Sequence, residues 1–260
     1  MTKHSDKKAG FIKIGGEIAG AAVAGALSVL ADNMPGAALA GIAGVVMART
    51  TAELADRSLS KRESIRAGGA AALAIDSIKS RLEAGEQLRE DNFFEQSTQR
   101  CAGDELFEGV MLAAKNSHEE KKVKLLSNLF SNIAFDESCS KEEANALIKL
   151  TEHLTYSQLV FLKIASGSEN RYKMRTGGYL VGEQVEWKTL NLLHQIKGLC
   201  ERGLLIQSNP AGGDTVMVLG ITDISPSYLS LNYLGVRLSS MLNVNDIEES
   251  DAEDIAKCLR

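Results

Sequence analysis

Apolar residues recur along this chain in three different rhythms, and each predicts a different element. From Phe11 to Ala48 the run is almost unbroken, but it is built from Gly and Ala rather than Leu and Phe. Two stretches, Ile14–Ala31 and Pro35–Ala48, flank a polar Asp32-Asn33-Met34-Pro35-Gly36 turn, which predicts a helical hairpin. Gly16, Gly20 and Ala24 fall four apart, as do Ala21 and Gly25. They line one helix stripe where another backbone can approach closely, and Gly41 and Gly44 extend the small-residue pattern into the second arm. Between Thr50 and Ala165 the rhythm becomes helical, with apolar residues three and four apart. In Thr50–Glu90 the inward set is Ile65, Ala72, Ile75, Ile78 and Leu82, with Gly68-Gly69 marking a kink or a close helix contact. Asp91–Gly103 is polar and reads as a connector with a domain boundary in it. Three capping boxes follow, Ser117–Glu120, Ser140–Glu143 and Thr155–Gln158. They precede the apolar sets Val123/Leu126/Phe130/Ile133, Ala144/Leu147/Ile148/Thr151 and Leu159/Leu162/Ile164.

In the last third the rhythm changes again. Trp187–Arg202 reads as a helix with Leu190, Leu193, Ile196 and Leu199 inward and Gly203 as its C-terminal cap. Leu204–Gln207 and Thr215–Gly220 read as strands around an Asn-Pro-Ala-Gly-Gly-Asp turn. Ser225-Pro226 then reads as the start of a final helix carrying Leu231, Leu234, Leu238 and Met241. Helix, helix, strand, turn, strand, helix over Thr155–Leu242 is the order of a winged-helix domain. The expected fold is therefore mainly α: a Gly/Ala-rich hairpin with helices over 1–100, a helical region ending in a winged-helix-like α+β domain over 104–242, and an acidic tail over 243–260.

Charge separates the tail from the body. The net charge is −5, of which the segment from Asn243 onward contributes −4 and the body −1. A near-neutral body lacks the strongly basic footprint of a dedicated nucleic-acid binder. Cys101, Cys139, Cys200 and Cys258 are scattered with no C-x-x-C pair, which favours reduced thiols and a cytoplasmic setting over a disulfide framework. The hairpin bears on location too. Its first arm has 18 residues and contains Glu17, and its second has 14 before Arg49. Both are short against a hydrocarbon core about 30 Å thick. Burial in a bundle or an oligomer interface is the favoured reading, with insertion or membrane association on activation as the alternative. The expected partners are a second copy of the chain and a protein trigger, with a membrane or DNA behind them.

The chemistry of catalysis is not legible. Gly15–Gly20 lacks the Lys-Ser/Thr of a phosphate loop and follows no strand. His4, His118, His153 and His194 form no H-x-x-x-H pair, and Cys200 lies six residues from His194, off its helix face. No G-x-S-x-G elbow is present. A non-catalytic protein with no cofactor and no metal is expected. For DNA reading, the helix over Trp187–Arg202 offers Lys188, Gln195, Lys197 and Arg202, with Gln suited to adenine edges and the cations to phosphates. A winged-helix transcription regulator that dimerises through Met1–Asp91 is the alternative function on this ground. The same side chains also suit the solvated face of an ordinary amphipathic helix.

Glu119–Phe135 (EEKKVKLLSNLFSNIAF), Ala146–Ala165 (ALIKLTEHLTYSQLVFLKIA) and Tyr228–Leu242 (YLSLNYLGVRLSSML) together resemble the abortive-infection alpha-type proteins of bacteria. Leu126, Leu129, Phe130 and Ile133 carry the first part of the likeness, Leu154, Gln158 and Phe161 the second, and Leu234, Gly235 and Leu238 the third. Ser131-Asn132 stands where that family has Ala-Asn. The likeness spans about Glu105–Leu242 and leaves the hairpin outside. It implies a role in defence against phage, with no catalytic residues to carry over.

Overall fold

The computed structural model describes residues 46–47, 49–50, 53, 59–95, 100–167, 171–209, 212 and 214–260. The Gly/Ala hairpin, with Gly16, Gly20, Gly25, Gly41 and Gly44, lies outside the described residues except for Val46 and Met47, which are helical and buried. The chain divides into two units, Met1–His153 and Leu154–Arg260. The described part is mainly helical, with a small three-stranded antiparallel sheet near the C-terminus. Among the described residues no helix is long and apolar enough to cross a membrane.

The first unit contains α1 (Lys61–Glu83), α2 (Ala102–Asn116), α3 (Lys121–Phe135) and α4 (Lys141–His153). Helix α1 starts at a reciprocal capping box: the Ser60 hydroxyl accepts from the Glu63 N–H, and the Glu63 carboxylate accepts from the Ser60 N–H at 2.8 Å. The helix runs without a break through Gly68-Gly69. Its buried stripe is Ala67, Ala70, Ala71, Ala74 and Ile78, whereas Ile65, Ala72, Ile75 and Leu82 are only half-buried. The small stripe wins because α1 packs on both α2 and α3, and close approach favours the shortest side chains. A Cβ placed on Gly69 would lie 3.9 Å from Val123 Cγ1 on α3. Phe107 on α2 and Phe130 on α3 meet at a ring separation of 4.8 Å in the centre of this layer.

The expected boundary at Asp91–Gly103 falls inside the first unit. Asp91 starts a 3-10 turn, Asn92–Phe94, which buries Phe93 and Phe94 edge to face. A Cβ on Gly103 would sit 2.7 Å from the Phe94 ring, so this position on α2 admits only glycine without a shift. Of the three expected capping boxes, Thr155–Gln158 forms in full, and the Ser140 hydroxyl accepts from the Glu143 N–H at 3.1 Å. Ser117 does not cap α3. Its hydroxyl is taken up locally, donating to the Glu119 carbonyl and accepting from the Glu119 N–H, and α3 begins four residues later.

The second unit contains α5 (Tyr156–Ser166), α6 (Trp187–Glu201), β1 (Leu205–Ser208), β2 (Thr215–Val216), β3 (Leu229–Leu231), α7 (Tyr233–Leu242) and α8 (Glu249–Lys257). Helix α5 is its hub: Gln158 to Ala165 are all buried, against α6, α7, α8 and β3. Gly203 caps α6 at φ +68°, with the Leu204 N–H returning to the Leu199 carbonyl, as the sequence expects. The strand order is β2-β1-β3, and β1 pairs antiparallel with both neighbours, Leu205 opposite Leu231 and Gln207 opposite Val216.

Three expectations are corrected in this unit. The second strand stops at Val216 instead of reaching Gly220, because the Asp223 carboxylate accepts from the Leu219 and Gly220 N–H groups and turns the chain. Ser225-Pro226 starts a 3-10 turn leading into β3, and the helix expected there, α7, begins at the Asn232 cap instead. Gly235 permits that helix to touch β1's entry: a Cβ there would lie 2.1 Å from the Leu204 carbonyl oxygen. Finally, the acidic segment 243–260 is not a tail. Val244, Ile247, Ala252, Ala256 and Leu259 are buried, and α8 packs on α5. The buried Lys163 ammonium is held by the Ile247 carbonyl and, at 3.2 Å, by Glu249, while the Tyr156 hydroxyl donates to Asp251 at 2.7 Å.

Candidate functional site

Helix α6 buries Leu192, Leu193, Ile196 and Leu199, with Leu190 only half-buried. This leaves the polar residues named for DNA reading on its outer side, where they have different fates. The Gln195 side chain accepts from the Thr155 hydroxyl at 2.7 Å and donates to Asn191 at 3.2 Å. Lys197 is ion-paired with Glu201 one turn on. Arg202 is exposed and reaches back to the Gly198 carbonyl at 3.4 Å. Lys188 is exposed and makes no ion pair among the described residues. Two of the four are thus engaged by neighbouring side chains.

Beside this face lies a cleft of about 610 Å³. The last turns of α6 form one wall through Lys197, Cys200 and Glu201, β1 forms the floor, and Thr215–Leu219 forms the outer wall. The outer wall is apolar and open: Met217 is 81 % and Leu219 73 % exposed, and Val216 is exposed too. Its first two residues, Thr215 and Val216, are also the sheet's edge, since β2 pairs on one side only, with β1. No charged residue interrupts Thr215–Thr222. Burial pushes the Cys200 thiol up to about 11, with the Glu201 charge adding to the effect. It therefore presents a neutral thiol to the cleft at physiological pH, a small apolar surface rather than a nucleophile.

The first unit holds its ionisable groups differently. The Arg89 guanidinium is buried. It grips Asp91 through two bonds at 2.7 and 2.5 Å, donates to the Ile133 and Cys139 carbonyls, and stacks 4.3 Å from the Phe93 ring centre. That grip holds the Asp91 carboxyl below the usual carboxylate range. A cavity of about 340 Å³ opens beside it, but Arg89 is already occupied and Lys141 on its rim is paired with Glu105. Asp104, fully buried, accepts from Thr50 at 2.9 Å and from Arg49. Lys122 donates to the Glu152 carbonyl at 3.0 Å, and burial lowers its pKa. These groups tie segments to one another. His153 sits exposed at the end of α4, its Nδ1 2.6 Å from the Lys149 carbonyl.

Sequence reading missed the apolar display on the second unit. Its one available signal was the uncharged run from Thr215 to Thr222, since an edge strand without a charge or a proline is unguarded. The chain matches no protein-family model, no curated protein and no solved structure.

Proposed function

We propose that this chain is a non-catalytic defence protein, similar in plan to the abortive-infection alpha-type proteins. In this reading Leu154–Arg260 is a winged-helix-like module that recognises a protein trigger. The Ile14–Ala48 segment self-associates through its small-residue stripe, in the cytoplasm or at a membrane on activation.

The observation that carries the recognition role is the open apolar wall of Val216, Met217 and Leu219 over the cleft. Monomeric surfaces scatter single apolar side chains, whereas an exposed apolar group that runs on from an unguarded sheet edge suits a contact surface for protein. DNA recognition is the weaker reading. Leu154–Arg260 carries ten basic and twelve acidic side chains, a net charge of −2, and Lys197 is neutralised by Glu201. Phosphate binding draws on surplus positive charge.

The test is phage challenge of cells expressing the wild type, Met217→Asp with Leu219→Asp, or Gly20→Leu. Wild type lowers phage yield, the double variant loses protection while remaining folded, and Gly20→Leu loses both assembly and protection. Unchanged yield across a broad phage panel removes the defence role. Binding to duplex DNA that weakens steeply with salt, and is lost in Lys188→Ala with Arg202→Ala, would replace it with the regulator.

A further inference from the structure

A second apolar display lies in the segment that joins α5 to α6. Leu180–Glu183 is a β-turn closed by the Glu183 N–H donating to the Leu180 carbonyl at 3.1 Å. Gly182, third in the turn, has φ +87°, which a type II turn requires and which side chains resist. The turn is braced at its base. The Glu183 carboxylate accepts from the Leu180 N–H at 2.9 Å and holds Arg175 through two bonds, at 2.5 and 3.1 Å. The Tyr179 N–H donates to the Thr222 carbonyl at 3.1 Å. What this bracing projects is apolar: Leu180 is 75 % and Val181 94 % exposed. Six residues on, and so within about 20 Å by the reach of the chain, Trp187 is 77 % exposed. It is the only tryptophan in the sequence.

Charge distinguishes this place from the rest of its unit. Arg171–Lys188 contains four basic and two acidic side chains, net +2, while the remainder of Leu154–Arg260 contains six basic and ten acidic, net −4. Glu183 is spent on Arg175, and Arg171 is paired with Glu249. Lys173 and Lys188, one on each side of the turn, are exposed and make no ion pair among the described residues, and Glu186 is the one acid beside them without such a pair. A braced, exposed turn with two aliphatic side chains, a nearby indole and two lysines without ion pairs among the described residues, in an otherwise acidic unit, complements an anionic interface. Indoles settle at headgroup level, aliphatic side chains enter the acyl boundary, and lysines stay with anionic headgroups.

We propose that the Leu180–Val181 turn, with Trp187, Lys173 and Lys188, docks this unit peripherally on an anionic membrane surface. None of these five residues lines the cleft, and the docking does not depend on the Ile14–Ala48 segment.

The single tryptophan makes the test local. Full-length protein is mixed with vesicles of phosphatidylcholine alone, or with phosphatidylserine added, and co-sedimentation and Trp187 emission are measured together. The expected result is sedimentation with the anionic vesicles, a blue shift of Trp187 emission, and quenching by brominated acyl chains. Leu180→Asp with Val181→Asp, at exposed turn positions, keeps the far-ultraviolet circular dichroism of the wild type and loses the shift. Lys173→Ala and Lys188→Ala each weaken binding about fivefold. Sedimentation that persists in the Asp double variant, with Trp187 emission unmoved, places membrane contact elsewhere and overturns the proposal. So does a blue shift that follows protein concentration without vesicles, which makes the patch a protein interface. Absence of binding to either vesicle overturns it as well.

Discussion

Among the described residues the two units differ in what they leave exposed. Met1–His153 buries Arg89, Asp104 and Lys122 and exposes no large apolar side chain, whereas Leu154–Arg260 buries Lys163 but exposes apolar surface. Among the described residues every large exposed hydrophobic side chain lies in the second unit: Leu180, Val181, Trp187, Val216, Met217, Leu219, Tyr233, Leu234 and Val236. In the first unit the described core is closed over Phe107 and Phe130, and Arg89, Asp104 and Lys122 are buried with hydrogen-bond partners. Buried charge that is fully partnered fixes one arrangement of neighbouring segments. Exposed apolar surface on a folded unit adds little to that unit's own stability.

Substitutions can break this contrast. The largest effect is expected from Phe130→Ala, which leaves a cavity beside Phe107 and lowers stability by about 3–5 kcal/mol, read from the midpoint of urea unfolding. Arg89→Ala comes next. It orphans the Ile133 and Cys139 carbonyls and Asp91, for a loss of roughly 1–3 kcal/mol in the same measurement. Gly235→Ala forces α7 away from the Leu204 carbonyl and costs about 1–3 kcal/mol, the range of an overpacked contact. It is the point where the second unit is as intolerant as the first. Ser60→Ala removes the α1 cap for about 1 kcal/mol. Met217→Ser with Leu219→Ser moves the unfolding midpoint by no more than about 0.5 kcal/mol, and a cost like that of Phe130→Ala would show these residues to be core and erase the contrast.

The smallest effect is in pH. The folded-state pKa of Asp91 is depressed by its bonds to Arg89. Its contribution is therefore fully present above the ordinary aspartate range and is lost as pH falls through the lowered folded value. Arg89→Ala should flatten the acid limb of the stability profile, and an unchanged acid limb would show that this pair carries none of it.

Local sequence settled a good deal. The helices α3, α4 and α5 follow from apolar spacing, two of them from Ser140 and Thr155 caps, and the end of α6 follows from Gly203, because each of these features acts within one or two turns of its own residue. The Ser60–Glu63 box was equally legible, and its four letters also start a helix. Where prediction failed, the deciding partner was distant in sequence or the local pattern was ambiguous. Which stripe of α1 turns inward depended on the approach of α2 and α3, so alanine displaced isoleucine at the core. The acidic segment after Asn243 looked like a solvated tail until α5 supplied an apolar floor and Lys163 an ammonium for its carbonyls. Asp223 ended β2 by taking two N–H groups that a longer strand needed.

The candidate surfaces divide in the same way. The uncharged run at Thr215–Thr222 is visible in the sequence, but that it starts on the sheet's edge and lines an open cleft is not. The composition of the Leu180 turn can be read directly, yet only the folded chain shows that Glu183 serves both Arg175 and the turn backbone, leaving Leu180 and Val181 to solvent. Sequence alone determined helical periodicity, caps and charge balance, which arise from neighbours along the chain. Exposure is a property of what every other segment leaves uncovered, and tertiary packing alone decided it.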